Sequence, residues 1–426
     1  MASFSSKFLK KRFSAPGKLD AITDRAAPLV AACDKPVQGG ASVAEAVIIS
    51  GPRGNSFSLT AAQAVSASAV QGGASNYDEF VSTYGEYHGS AVVTARAVAG
   101  SKTNMDAYLR QLAEVMESEV AAFATIGERK LLGPVGGSIG KIALVNGGGS
   151  NGELTLTIAG DVLNFAAGMQ IQASTQDGSG TVTTAKAVGF VNEVFVDSDS
   201  DGTQLRISAT DGGATGLPAA WANADFLFRS GDIASATDLS DSQIRSFQSW
   251  VTLAAATGTF NAVNRSQDSR LSGFRLTSSA TAGMSILDRM QLLATTGRSQ
   301  CGAQQATLFV VGPNTWAQLA QEVQSYGHLE FTENMKIGIK LLTIMTANGP
   351  SQVLNSPSCL ESDIFLFTQS TLKIYNYDGF PGLDEGDGNE ILRQTNSAAY
   401  EVRWHAFTCS TVNGRAHFNG RCPSGN

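Results

Sequence analysis

The chain has 426 residues, with 30 Lys and Arg against 37 Asp and Glu, a net charge of −7, and 16% charged against 42% hydrophobic residues. That length exceeds one ordinary core and implies two to three structural units. The acidic balance excludes a protein built for tight general DNA binding, whose affinity rests on neutralising phosphates.

Residues 1–45 show no sustained period and contain Pro16, Pro28 and Pro36, so they read as an extended arm. Its basic cluster, Lys7, Lys10, Lys11 and Arg12, reads as a solvated terminus rather than a nucleic-acid contact. No apolar h-region follows it and no run of about 18 apolar residues occurs, so neither a secretory signal nor a membrane span is expected. Residues 46–100 are small β-formers punctuated by glycine and read as a long hairpin leaving the body. Over 102–130 apolar residues recur every three or four positions, from Met105 and Leu109 to Val120 and Phe123. This predicts a helix of about 40 Å, capped by Thr103 and ended by Gly127 and Gly133-Pro134.

From about 140 to 230 the chain alternates like strands. Seven runs, among them "KIALV", "TVTTAKAVGFV", "EVFVD" and "DFLFRS", predict a compact barrel or sandwich. Residues 236–282 are mixed and loop-like. From 283 the pattern becomes α/β: a helix "GMSILDRMQLLATTG", a buried strand "ATLFVVG", then "TWAQLAQEV" capped by Asn314 with Trp316 in its first turn. Strands "IGIKLLTIM", "QVLN", "DIFLFT" and "TLKIYNY" follow, and "AAYEVRWHAFT" is a final amphipathic strand.

Several stretches imitate chemistry. "GGSIG" at 136–140 spells the G-x-S-x-G of a nucleophile elbow around Ser138, but an elbow needs a strand before the serine and a helix after it. Here the order is reversed, and a tight glycine turn is the competing reading. A phosphate loop fails because position 135 is Val and position 142 is Ile. Asp197, Asp199, Asp201 and Gly202 begin like a calcium loop, yet the twelfth position is Ser208 and both flanks are strands, which favours a hairpin turn. The carboxylates of "DEGDG" at 384–388 read as a solvated loop. His88, His328, His405 and His417 are too scattered for a metal site, and Trp316 and Trp404 read as core anchors. Cys33, Cys301, Cys359, Cys409 and Cys422 are odd in number and lack a C-x-x-C pair, which suits free thiols in a reducing compartment. The sequon Asn264-Arg265-Ser266 then carries no glycosylation.

The order of parts resembles the major capsid proteins of tailed double-stranded DNA bacteriophages, the HK97-like fold, in a branch with a β-rich insertion. The resemblance covers about 100–408; the first hundred residues match in shape only. It rests on "GGSIGKI", "DVLNFAAGMQIQAS" (161–174), "DFLFRSGD" (225–232), "FNAVNRSQDSRLSGFR" (260–275), "VVGPNTWAQL" (310–319) and "DGNEILRQTNSAAYEVRW" (387–404), taken in that order. It implies an α+β chain divided into an N-terminal arm (1–45), an extended hairpin region (46–100), a spine helix and first part of a peripheral domain (101–145), and a β-barrel-like insertion (146–235). A loop segment (236–282), an α/β axial domain (283–385) and a return to the peripheral domain with a C-terminal tail (386–426) complete it.

The function implied is structural: hexamers and pentamers of the chain forming an icosahedral shell around the phage genome, assembled in the host bacterial cytoplasm. Implied partners are other copies, portal and scaffolding proteins and a decoration protein, with DNA enclosed but not read. No catalytic, cofactor-binding or metal-ligating residue is expected, and no cofactor or membrane. The residues for covalent cross-linking cannot be placed. The competing readings are an encapsulin-like compartment, a tail or adhesin protein, and a hydrolase using Ser138.

Overall fold

The computed structural model describes residues 18–50, 57–60, 76–94, 105–134, 136–146, 152–177, 185–195, 204–212, 216–218, 220–232, 245–254, 258–301, 306–325, 330–334, 339–377, 382–383, 392–393, 399–411 and 419–425. Two short helices come first, α1 (Lys18–Ala26) and α2 (Pro28–Ala32). The arm expected to be irregular to residue 45 is therefore folded from Lys18 onward. Pro28 begins α2, where a missing N–H costs nothing, and Ala27, Leu29 and Val30 are wholly buried. Such a segment is too short for a helical period to be legible, and burial rather than propensity holds it.

Strands β1 (Ser42–Ser50) and β2 (Asn76–Thr83) pair antiparallel, Ser42 opposite Thr83, and form the expected hairpin. Strand β3 (Gly85–Thr94) does not belong to it; it pairs with a strand from the end of the chain. Helix α3 (Met105–Leu132) has 28 residues, about 42 Å, and buries Met116, Val120, Phe123 and Leu131 on one stripe. Thr103, its expected cap, lies outside the described residues. Gly127 does not end the helix but sits inside it; Gly133 ends it, its N–H 2.6 Å from the Arg129 carbonyl. A Cβ at Gly133 would stand 2.5 Å from that carbonyl oxygen.

A closed six-stranded antiparallel barrel follows: β4 (Gly140–Asn146), β5 (Glu153–Leu156), β6 (Gln170–Ser174), β7 (Ala185–Val194), β8 (Leu205–Ser208) and β9 (Phe226–Arg229). Around the barrel the order is β4-β5-β8-β7-β6-β9. Seven runs became six strands because "TVTTAKAVGFV" and "EVFVD" contribute to the single strand β7. Alternation gives the inward set: Leu154 and Leu156, Leu205 and Ile207 are buried while Glu153 and Arg206 are partly exposed and paired at 3.1 Å. Closure leaves no strand edge exposed.

Residues 245–254 and 258–276, expected to be loop-like, are short in secondary structure but send Phe247, Trp250, Val263, Leu271 and Phe274 into the core. Helix α4 (Phe247–Trp250) is buried at all four positions. A small hairpin of β10 (Thr259–Phe260) and β11 (Val263–Asn264) and the strand β12 (Phe274–Arg275) follow. Next come α5 (Ile286–Cys301), β13 (Leu308–Val311), α6 (Pro313–Ser325), β14 (Glu330–Asn334), β15 (Ile339–Thr346), β16 (Gly349–Asn355) and β17 (Asp363–Phe367). The chain ends through β18 (Lys373–Asn376), β19 (Gly382–Leu383), β20 (Leu392–Arg393), β21 (Ala399–Thr411) and β22 (Gly420–Pro423).

The seven-stranded sheet runs β12-β22-β17-β13-β16-β15-β14. The C-terminal stretch expected as a tail thus supplies an inner strand of the α/β sheet, and β12 from the expected loop supplies its edge. Conversely β18, expected in the α/β unit, pairs with β21, which also carries β3, β19 and β20. Strand β13 shows the two faces of the larger sheet. Phe309 and Val311 pack with α5 and α6, while Leu308 and Val310 join the core around α3, α4 and β21. A buried network locks the last strand: Arg421 donates to both Asp363 oxygens at 3.0 and 2.7 Å and to Gln248 at 3.1 Å, and Gln248 donates to the Leu132 carbonyl that ends α3.

Candidate assembly surfaces and the foot of the long helix

The turn after α3 places Ser138 between a helix and a strand, in the order opposite to a nucleophile elbow. Gly137 takes φ +74°, open to glycine at little cost. Ser138 is buried and lines a cavity of about 360 Å³ between α3, the barrel and the turn at Ser358–Leu360. The described charged residues around it are Arg129, Lys130, Arg229 and Asp232, with no histidine among them. Lys130 is bound to Asp232 at 3.0 Å, so neither stands as a free base for the serine.

One turn earlier in α3, Glu128 is fully buried. Its carboxylate accepts from the amides of Leu29, at 3.1 Å, and Val30, and from the Ser356 hydroxyl. It therefore joins α2, the long helix and the end of β16. Burial pushes its carboxyl up to about 7 against the lowering effect of those three donors. Its burial rests on donors brought in from α2 and Ser356 by the tertiary fold.

The root of the hairpin is an aromatic cluster. Phe80 of β2 meets Trp250 edge-on at 5.0 Å, and Trp250 meets Phe260 at 5.2 Å. The β10–β11 turn holds β2 by Val81 N–H to the Asn261 carbonyl at 2.9 Å and by Asn261 to Ser82 at 2.8 Å. Arg265 stacks 3.6 Å from the Phe260 ring centre and donates to the Ser249 carbonyl at 2.7 Å. Its Nε and Nη2 are buried without a partner. Burial, and then the charge of Arg245, lowers its pKa to about 9.

Away from this root, the connection between β1 and β2 exposes Phe57 completely and Leu59 by 74%. Val81 on β2 and Val92 on β3 are exposed too. The solvent side of α6 carries Asn314, Ala317, Gln318 and Gln321 and no charge. Its one acid, Glu322, turns away to cap α5, accepting from Ile286 and Leu287 N–H at 3.3 and 3.0 Å. The cap of α6 is Glu361, which accepts from Asn314 and Thr315 N–H at 3.0 and 3.1 Å. Asn314 is thus a capped residue, not the cap expected from sequence.

His88 and His405, expected to be scattered, are register partners on β3 and β21, with Phe407 5.0 Å from His405 and 6.0 Å from His88. His88 lies 3.6 Å from Glu86. Among the described residues no cluster of three ligand-type side chains forms. Asp197, Asp199, Asp201, the 384–388 carboxylates, His328, His417 and the basic cluster at 7–12 lie outside the described residues. Cys33, Cys359, Cys409 and Cys422 are free and buried, and burial raises each thiol, the last two to about 12. Buried thiols so raised are inert. Trp404 is buried in the core beside α3, and Trp316, in the first turn of α6, packs partly buried against the core between the helices and the larger sheet. No described helix is long and apolar enough to cross a membrane.

No protein-family model and no curated protein matches the sequence. Among solved structures the chain is similar to the cyanophage A-1(L) capsid asymmetric unit, at 9% identity and TM-score 0.49, over 93% of this chain and 92% of that one. It is also similar to the capsid of an empty GTA particle, at 10% identity and TM-score 0.40, over 94% and 96%. A third is the Phage G gp27 major capsid protein with gp26 decoration proteins, at 8% identity and TM-score 0.39, over 94% and 90%. These solved structures are capsid shells.

Proposed function

We propose that the chain is the major shell subunit of a tailed phage, assembling as hexamers and pentamers into an icosahedral capsid around double-stranded DNA. The observation that carries this is the hairpin with Phe57 and Leu59 bare between its strands. A soluble monomer gains nothing by holding a phenylalanine wholly in water, whereas a neighbouring copy can cover it. The stiff 28-residue α3 and the uncharged outer side of α6 support the same reading. So does the net charge of −7, which suits a container that encloses DNA without gripping it. Portal, scaffolding and decoration proteins are its proposed partners, the virion its place and the host cytoplasm its site of assembly. Catalysis by Ser138 has no support, since no free base lines its cavity among the described residues.

Electron microscopy of the purified chain, expressed alone and with its neighbouring genes, tests the reading. Closed shells or capsomer rings are expected. Nuclease-protected DNA inside native particles separates a capsid from an enzyme-loaded compartment. Filaments or monomers under both conditions overturn the proposal in favour of a tail protein.

A further inference from the structure

The glycine turn at the foot of α3 leaves its serine unused. Ser138 lines the 360 Å³ cavity, is 6% exposed and makes no side-chain hydrogen bond among the described residues. The same cavity gathers three cations, Arg129, Lys130 and Arg229. Two carboxylates answer them: Asp232, 3.0 Å from Lys130, and Glu119, which interacts with Arg229. Arg229 also bonds the Tyr87 hydroxyl. Arg129 is left over on this side. Its Nη2 donates to the Leu163 carbonyl at 2.8 Å, while its Nε is buried with no acceptor. The nearest other acid, Glu128, is engaged with α2 and Ser356. Both guanidinium groups line the cavity, and Arg129 loses proton affinity through burial and then through the charge of Arg229, against the opposing effects of Glu128 and Tyr87.

The two arginines stand on opposite sides of a joint. Arg129 belongs to α3, and Arg229 ends β9, the last strand of the barrel. The chain enters the barrel at Gly140 and leaves it after Arg229, and across this joint Arg129 reaches the Leu163 carbonyl and Lys130 reaches Asp232. Repulsion between these groups works against a fixed barrel. An anion between them turns the repulsion into two charge-assisted contacts. Ile126, Phe165 and Met169 form an apolar wall that limits competing water and strengthens such contacts.

We propose that this cavity is an oxyanion-binding site, in which a phosphate or carboxylate group lies between Arg129 and Arg229, accepts from the Ser138 hydroxyl, and fixes the barrel on the long helix. The site does not depend on shell formation and is testable on subunits or on particles.

The experiment is calorimetric titration of the full chain with sodium phosphate and, separately, sodium acetate, against sodium chloride of equal ionic strength, with thermal unfolding in parallel. Saturable binding and a raised unfolding temperature beyond the chloride control are expected. Ser138→Ala should weaken binding several-fold, and Arg129→Gln or Arg229→Gln about tenfold or more. A response to phosphate alone identifies a phosphoryl ligand; an equal response to acetate identifies a carboxylate, such as an acidic side chain of another polypeptide. Absence of binding beyond the chloride control overturns the proposal, as does unchanged affinity in Ser138→Ala together with either arginine variant. If an arginine variant does not fold, Ser138→Ala alone decides, since it removes one hydroxyl from a turn.

Discussion

At the residue scale the informative groups are charges where the fold is dry. Glu128 holds α2, α3 and β16 together through donors alone. Its carboxyl is raised from 4.5 to about 7, so the folded chain keeps a proton that the unfolded chain has released. The stability this group contributes is therefore full below about pH 4.5 and falls as the pH rises toward 7, by on the order of 3 kcal/mol. Asp161, raised to about 7 by burial, adds a fall of the same sign in its own window. Glu128→Gln keeps an acceptor for the Leu29 and Val30 amides and lets Ser356 accept in turn. Denaturant unfolding from pH 5 to 8 should show a flatter profile for this variant, at least as stable as the parent at pH 8. Glu128→Ala should lose about 2–4 kcal/mol throughout that range, because two buried amides lose their acceptor. Arg265 is the opposite case, a buried cation stacked on Phe260 with two nitrogens unbonded. Replacing it by Met keeps the stacking volume and removes the desolvated charge. The same unfolding measurement should place Arg265→Met within about 1 kcal/mol of the parent or above it.

At the element scale, packing decides what local propensity cannot. Gly297 in α5 and Gly420 in β22 form a slot for the Phe274 ring: a Cβ on Gly297 would stand 2.5 Å from Phe274 Cζ, and one on Gly420 would overlap the ring. Alanine in a helix normally gains about 1 kcal/mol over glycine. Here Gly297→Ala should instead destabilise by about 1–3 kcal/mol, and Gly420→Ala by at least as much, measured by thermal unfolding. The same contrast explains which elements were legible in the sequence. The stripe from Met116 to Leu131 and the alternation of Leu154–Leu156 and Leu205–Ile207 are local periods, and both gave the correct element. The cap of α6 was not legible, because Glu361 stands 46 residues beyond Thr315, which it caps. The strand β22 was hidden in "GRCP", four residues whose place is set by Arg421 reaching Asp363 and Gln248. The cavity at Ser138 escaped for a related reason. The motif around the serine was visible, but Arg229 joins Arg129 only when the barrel closes.

At the scale of the whole molecule, four apolar clusters form among the described residues, three large and one small, and yet the connection between β1 and β2 keeps Phe57 and Leu59 outside all of them. Burying a phenylalanine and a leucine on a neighbour is worth about 1.5–3 kcal/mol each before the cost of ordering. That is weak for a pair of subunits. Repeated around the closed ring proposed above it would be decisive, because each subunit would be held on two sides and the contacts would act together. The double variant Phe57→Ser, Leu59→Ser separates this role from folding. Among the described residues both side chains are exposed, so the subunit should unfold within about 0.5 kcal/mol of the parent. Rings and shells, followed by sedimentation and electron microscopy, should be lost or should require a much higher protein concentration. If shells form from this variant at the parent's concentration, the hairpin is not what joins the subunits. The weight would then fall on the charge-free side of α6, where Gln318→Glu with Gln321→Glu should disrupt assembly by setting like charges against one another around the ring.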